Sequence, residues 1–114
     1  MADDARQVVE RYFEAWRNND FAVMRSLLDD KLDFRGPIDH FDNAEAYQQS
    51  VQGLSQVKTD LVVHKTFVDD ADVLTWYDLH TTIGEPAPVA DWSHVEDGKI
   101  TTVRVVFDAR PFAP

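Results

Sequence analysis

Two histidines and an aspartate are the side chains whose spacing could support metal chemistry. Asp78 and His80 are two residues apart in an alternating segment, which places both on one face of a predicted strand, and His94 lies in the next predicted strand. Two imidazoles and a carboxylate can bind a divalent metal ion. Because the chain has no compact motif such as H-E-x-x-H, we favour a different interpretation. In that interpretation both histidines belong to the outer face of a sheet, and no metal is bound.

The composition excludes several other chemistries. The chain of 114 residues contains no cysteine, so disulfides, thiol catalysis and zinc sites built on cysteine cannot form. It has no glycine-rich phosphate loop, and nothing in it requires a cofactor. A formal net charge of −10 opposes binding to nucleic acid and to anionic membranes. Because no apolar segment has the length of a membrane span or the form of a secretion signal, we expect a cytoplasmic protein.

Helical periodicity dominates the first half of the chain. Apolar residues recur at spacings of three and four in three segments, which predict helices at residues 4–18, 21–28 and 44–54. Asp4 and Gln7 are typical of a capping box at the start of the first helix. Asn43 is the predicted N-cap of the third helix.

Alternation and β-branched residues predict strands in the remaining segments, at residues 32–34, 57–68, 73–83, 89–95 and 100–107. Gly84-Glu85-Pro86 should interrupt the series, and Asp97-Gly98 is the strongest hairpin signal. Helices followed by antiparallel strands indicate an α+β fold with the helices on one face of a sheet. Because there is no repeat or low-complexity linker, we interpret residues 1–114 as a single domain.

The order of several short motifs resembles that of the nuclear transport factor 2-like superfamily and, within it, the SnoaL-like proteins. The motifs are Arg-Tyr-Phe-Glu at 11–14 with Trp16, Asn-Asp-Phe at 19–21, Leu-Asp-Phe-Arg-Gly-Pro at 32–37, Glu-Asp-Gly-Lys-Ile at 96–100 and the segment 107–112. The resemblance implies a cystatin-like cone, in which three N-terminal helices pack on a curved, mainly antiparallel sheet around an apolar pocket. It implies no particular reaction, because this fold hosts enzymes and binding domains alike.

Two known chemistries of the superfamily do not fit these residues. Ketosteroid isomerase-like members move a proton with one carboxylate, while a tyrosine and a second carboxylic acid stabilise the oxyanion. The resemblance gives Tyr12 as the tyrosine and Asp91 as the second acid, but Gly36 occupies the position of the proton-moving aspartate. In members resembling limonene-epoxide hydrolase, an arginine and two aspartates hold a water. The corresponding positions here carry Tyr77, Leu79 and Val105.

SnoaL-like cyclases are the third comparison, since they use an aspartate as an acid–base group in an apolar pocket. Asp91 is the best match, and burial would raise the pKa of its carboxyl toward neutrality. Tyr12 would then donate a hydrogen bond. Asp91 could instead satisfy a neighbouring donor or face solvent, and Tyr12 could belong to the core. The expected pocket wall comprises Trp16, Phe34, Tyr47, Tyr77, Ser93, Val105 and Phe107.

The expected function is therefore that of a SnoaL-like domain that binds a small apolar molecule. It could act as an acid–base isomerase, cyclase or hydratase on an apolar carbonyl compound. The alternative is a non-catalytic homodimeric module of the same fold, and whether the chain is an enzyme stays open.

A partner surface is expected on the opposite face of the sheet. If Asp91 points inward, alternation directs Trp92 and His94 outward. Exposed tryptophans on a sheet face are typical of a partner surface. The resemblance also implies a homodimer packed through this face, whose members would be Trp76, His80, Trp92, His94 and Arg104.

Overall fold

The helices come first along the chain, and the long strands follow. The computed structural model describes residues 2–112. The helices are α1 (Ala2–Arg17), α2 (Phe21–Ser26) and α3 (Ala44–Leu54). The strands are β1 (Leu28–Arg35), β2 (His40–Phe41), β3 (Lys58–Asp69), β4 (Asp72–Thr81), β5 (Gly84–Glu96) and β6 (Lys99–Phe107). A short 3-10 helix follows at Arg110–Phe112.

The six strands form one sheet in the order β2-β1-β6-β5-β4-β3. Neighbouring strands are antiparallel except β1 and β6, which are parallel. α1 packs on β3, β4, β5 and β6, while α3 packs on β1 and β2. The predicted α+β fold, with helices on a mainly antiparallel sheet, is confirmed. Among residues 2–112, no helix has the length and apolar character needed to cross a bilayer.

Burial confirms the alternation predicted for β4 and β5. Tyr77 and Asp91 face the helices and are only 3% and 2% exposed. Trp76 and Trp92 lie on the opposite face and are 43% and 52% exposed. The two faces of the central strands therefore differ sharply, with a closed core on one side and aromatic side chains in solvent on the other.

Several boundaries predicted in the N-terminal half are wrong. α1 begins at Ala2, so Asp4 lies in its first turn and is not the cap. α2 ends at Ser26, because Leu28 pairs with Ile100 of β6 and so already belongs to β1. This pairing gives β1 eight residues where three were predicted. β2 was not predicted at all.

The C-terminal strands match the prediction more closely, with one correction. β5 begins at Gly84, although the segment Gly84-Glu85-Pro86 was expected to interrupt the strands. Pairing of β5 with β6 starts only at Val89, so the first part of β5 pairs with β4 alone. A proline, which lacks an N–H, is tolerated on such an open edge. The hairpin between β5 and β6 is present, and the positive φ angles of Asp97 (53°) and Gly98 (75°) fit a type I′ turn.

The predicted cap of α3 is confirmed. The Asn43 side chain accepts a hydrogen bond from the Ala46 amide at 2.8 Å. This cap fixes the start of a helix whose buried face carries Tyr47 and Val51. α3 thereby brings an aromatic ring and an aliphatic side chain over the inner face of β1, where the candidate site lies.

Candidate functional site

A cavity of about 150 Å³ lies between the helices and the inner face of the sheet. Six of the seven residues expected in its wall line it, namely Trp16, Phe34, Tyr47, Tyr77, Val105 and Phe107. Asp91 lines it as well. Its other lining residues are Ile38, Asp39, Phe41, Ser50, Val51, Leu54, Leu79, Ala87 and Val89. The wall is therefore mainly aromatic and aliphatic.

Asp91 supplies the buried carboxyl group of this cavity. It lies in β5 between Thr75 of β4 and Val105 of β6, with the same alternation that directs Tyr77 inward. The Ser93 hydroxyl donates a hydrogen bond to Asp91 Oδ1 at 3.0 Å. Burial raises the pKa of Asp91 to about 7, and the hydrogen bond from Ser93 opposes that rise. The group can therefore exist in both protonation states near neutral pH.

Ser93 lies outside the expected cavity wall, whereas Tyr12 belongs to the core, which was one of the two places expected for it. Ser93 does not line the cavity but lies beside Asp91 and stabilises its charged form. Tyr12 is also absent from the cavity wall, and its hydroxyl is hydrogen-bonded to the hydroxyl of Tyr47. Tyr47, which lines the cavity, is therefore the phenol through which Tyr12 is connected to the site.

The tyrosines around Asp91 are neutral. Burial raises the pKa of the Tyr12, Tyr47 and Tyr77 hydroxyls, and the nearby negative charge of Asp91 raises each of them further. Neutral phenols can donate a hydrogen bond or accept one. The rings also pack on their neighbours, as Phe34 and Tyr47 do with centroids 4.8 Å apart.

Trp16 brings a buried donor to the cavity wall. The side chain is 5% exposed, and its Nε1–H has no hydrogen-bond partner among the described residues. The indole packs edge-on against Tyr77, with the ring centroids 5.9 Å apart. Such an unpaired buried donor is uncommon in folded proteins.

Gly36 lies where the base of the ketosteroid isomerase-like members would be, and its surroundings leave no room for a side chain. A Cβ at this position would lie 2.9 Å from Val105 Cγ2 and 3.2 Å from Phe34 Cζ. Both neighbours line the cavity. With glycine at this position the site lacks that base. The apolar wall also occupies the space that a side chain would need.

The positions compared with the epoxide hydrolases also lie at this cavity. Tyr77, Leu79 and Val105 are all in its wall. They bring a phenol and two aliphatic groups where an arginine and two aspartates would be needed. The water-holding constellation expected for that chemistry is therefore not formed by these three side chains.

Two histidines of the outer face each pair with a separate aspartate. His94 Nδ1 lies 2.8 Å from Asp72 Oδ1, which also accepts a hydrogen bond from Trp92 Nε1 at 2.9 Å. His64 Nε2 lies 2.9 Å from Asp78 Oδ2. Among the described residues, no three histidine, aspartate or glutamate side chains are grouped as a metal site. The alternative in which Asp78, His80 and His94 form a metal site has no geometric support.

Only some of the further residues in the cavity wall could be identified from a pattern in the sequence. Val51 and Leu54 belong to the helical stripe that predicted α3, so their inward direction was accessible from spacing. Phe41 lies in β2, whose two residues are too few to show alternation. Ile38 and Asp39 come from the loop before β2, where no periodicity applies.

Comparison with known proteins identifies the family. The family model for the SnoaL-like domain matches residues 9–103. The chain belongs to the SnoaL-like domain family. A search of curated proteins finds no match.

Solved structures give the same fold. An NTF2-like protein of unknown function from Cytophaga hutchinsonii is 29% identical, with a TM-score of 0.86 over 95% of this chain and 93% of that one. A protein from Kribbella flavida is 28% identical, with a TM-score of 0.88, and the match covers 93% of this chain and 88% of that one. An LEH-like epoxide hydrolase from M. tuberculosis is 23% identical, with a TM-score of 0.82, and the match covers 95% of this chain and 85% of that one. The last of these shows the shared fold alone.

The close contact at Gly36 predicts the effect of adding one methyl group. Gly36→Ala should destabilise the SnoaL-like domain by about 1–3 kcal/mol, because Val105 is branched and cannot move aside freely. Denaturant unfolding measures the loss. Gly53→Ala is the matched control, since its Cβ would meet no atom within 4 Å, and it should be neutral or stabilising. The double variant Gly36→Ala/Val105→Ala should lose less stability than the sum of the single changes, and strict additivity would contradict the steric explanation.

The raised pKa of Asp91 predicts a pH dependence of stability. Between pH 3.8, the ordinary value, and about 7, the unfolded chain has released this proton while the folded chain retains it. Stability should therefore fall as pH rises through this window and level off above it. Compared with Asp91→Asn, whose amide does not titrate, wild type should lose roughly 4 kcal/mol. Urea unfolding of both proteins across the window measures the difference, and parallel curves would contradict the prediction.

Proposed function

We propose that the chain binds a small apolar molecule in the cavity and that Asp91 moves protons on a carbonyl compound held there, as an isomerase, cyclase or hydratase. The observation that carries this proposal is the Asp91 carboxyl, buried at the wall of an otherwise mainly apolar cavity. Apolar pockets with a few placed polar groups are typical ligand sites. Membership of the SnoaL-like domain family agrees with such a role, although the fold alone does not specify a reaction.

The proton transfer would begin with Asp91 as a carboxylate. It would remove a proton from the carbon next to the carbonyl group, and the electron pair of the broken C–H bond would move to the carbonyl oxygen. The Asp91 carboxylic acid formed in this step would then return the proton at another atom of the same compound. A group whose pKa is about 7 can serve in both steps.

Asp91 would have to act alone as base and acid. Asp39 is the other carboxylate in the wall, and it is exposed to solvent rather than buried in the apolar part of the cavity. Gly36 supplies no base. The enolate oxygen would be stabilised by neutral donors, for which Tyr47 and Tyr77 are placed in the wall.

Exchange of hydrogen at carbon tests this proposal without knowledge of the natural substrate. Wild type should speed deuterium incorporation at the α-carbon of small cyclic ketones in D2O, followed by NMR, and Asp91→Asn should reduce the catalysed rate by at least about 100-fold. Ser93→Ala serves as the matched variant. It should retain exchange with a pH profile displaced upward, because the hydrogen bond that stabilises the carboxylate is lost. Equal rates for wild type and Asp91→Asn would contradict the role of Asp91.

The alternative, a non-catalytic homodimeric module, is favoured by a different observation. Five large apolar side chains of the outer sheet face are at least 43% exposed, namely Phe67, Leu74, Trp76, Trp92 and Val106. The strand registers bring them together, because Phe67 pairs with Leu74, and Leu74 with Trp92. We propose that these side chains, together with His80, His94 and Arg104, form a homodimer interface. Such an interface is compatible with either function.

A cytoplasmic location remains a prediction.

Substitution of the most exposed side chain of the patch tests the dimer. Val106 is 71% exposed and pairs with Ala90, so Val106→Asp should leave the protomer folded while it places a charge in the interface. Sedimentation equilibrium should show a dimer for wild type and a monomer for the variant. Ile83→Asp is the control, because Ile83 is 49% exposed in the turn before β5 and should not affect assembly. A monomeric wild type, or a dimeric Val106→Asp, would contradict this interface.

A further inference from the structure

We propose that the cavity selects neutral carbonyl compounds with a single ring and excludes both fused-ring and anionic ligands. This inference rests on the proposed function, because it names the class of molecule that the same cavity would take. Three observations carry it: the volume of the cavity, the single carboxyl group inside it and the charge at its mouth.

The volume limits the ligand to about one ring. The cavity measures about 150 Å³. An apolar protein cavity of roughly 150 Å³ holds one benzene molecule. The rings of Phe34, Tyr47 and Tyr77 form much of the boundary, and they are packed on one another or on the core. A second fused ring would therefore have to displace packed aromatic side chains or remain in solvent.

The Asp91 carboxyl defines which polar group the ring must carry. When protonated, this group is a hydrogen-bond donor, and a carbonyl oxygen is the acceptor that fits it. A hydrocarbon of the same size would leave the buried carboxylic acid without that partner. A carbonyl compound should therefore bind more tightly than the matching hydrocarbon, and this advantage should shrink when Asp91 is ionised.

The mouth of the cavity disfavours negative charge. Asp39 lies at the exposed end of the wall beside Ile38, which is 50% exposed. No cationic side chain is among the lining residues within the described part of the chain. The whole chain has a formal net charge of −10, which repels an approaching anion further. A carboxylate ligand would therefore meet repulsion at entry, and at Asp91 as well when that group is ionised.

Titrations followed by NMR test the selection on the intact protein. The chain has three tryptophans, and Trp16 alone among them lines the cavity, while Trp76 and Trp92 lie on the outer face. The indole N–H signal of Trp16 therefore reports occupancy, and the other two signals are internal controls. The probes are cyclohexanone, methylcyclohexane, 2-decalone and androstenedione, with benzamide and benzoate as a neutral and anionic pair.

Cyclohexanone and benzamide should shift the Trp16 signal and leave Trp76 and Trp92 unchanged. At about pH 5.5, methylcyclohexane, 2-decalone, androstenedione and benzoate should each bind at least about ten-fold more weakly than the matching probe. At about pH 8.5 the preference of wild type for cyclohexanone over methylcyclohexane should shrink, because ionised Asp91 no longer donates a hydrogen bond, whereas in Asp91→Asn this preference should not depend on pH. The exclusion of larger rings should persist in both cases.

A larger cavity should relax the size limit. Phe41→Ala removes a wall side chain and should allow 2-decalone to shift Trp16, while Phe67→Ala removes the same group from the outer face and should not. Tight binding of 2-decalone or androstenedione to wild type would overturn the size limit but leave the proposed function intact. Equal binding of benzoate and benzamide would overturn the charge exclusion. Failure of every probe to shift Trp16 would contradict the proposed function itself.

Discussion

Burial of one carboxyl group in a mainly apolar wall is the constraint on which the site depends. Among the described residues, Asp91 is the only acidic or basic side chain that is fully buried. Burying a charge is costly unless the charge is paired, and Asp91 has a serine hydroxyl but no cation beside it. The carboxyl therefore gains a proton more readily than a surface acid does. Asp108 shows the opposite case, because the guanidinium of Arg110 lowers the pKa of its carboxyl to about 2.

The close approach of Val105 and Phe34 to Gly36 limits the number of buried carboxyl groups in the cavity. With no side chain at this position, Val105 and Phe34 close over the space that a second carboxyl would need. The consequence is a wall with one buried carboxyl group, surrounded by neutral phenols. A single carboxyl can still serve in a reaction that takes and returns the same proton, but not in one that needs a separate base and acid at the same moment.

The sequence predicted the parts of this arrangement that depend on local pattern. Alternation in β4 and β5 gave the inward direction of Tyr77 and the outward direction of Trp76 and Trp92 correctly. The spacing of apolar residues predicted α3, and the residue type of Asn43 predicted its N-cap. The family resemblance supplied Asp91, which no local pattern distinguishes from the other aspartates.

The errors of prediction arose where distant parts of the chain decide the structure. Leu28 belongs to a strand because Ile100 pairs with it from far along the sequence. Ser93 was expected in the wall, but it lies beside Asp91 instead, and only the packed structure shows which inward residues reach the cavity. β2 exists because Phe34 and Arg35 offer it an edge to pair with.

One irregularity of the sheet explains why Asp91 has no cation beside it. Next to the β5–β6 turn, Glu96 pairs with Lys99 and Val95 with Ile100, and this register would place Arg104 opposite Asp91 on the inner face. The register shifts after Val95, since His94 pairs with Thr102 and Thr101 is left without a partner across the strand. Asp91 therefore faces Val105.

The same shift sends Arg104 to the outer face. There it lies opposite Trp92 and donates a hydrogen bond to the carbonyl oxygen of Asp33 at 3.0 Å. Because a shift of one residue exchanges the faces of a strand, this bulge separates an acid from the base that would otherwise neutralise it. The absence of a cation beside Asp91 and the outward position of Arg104 thus both depend on this bulge.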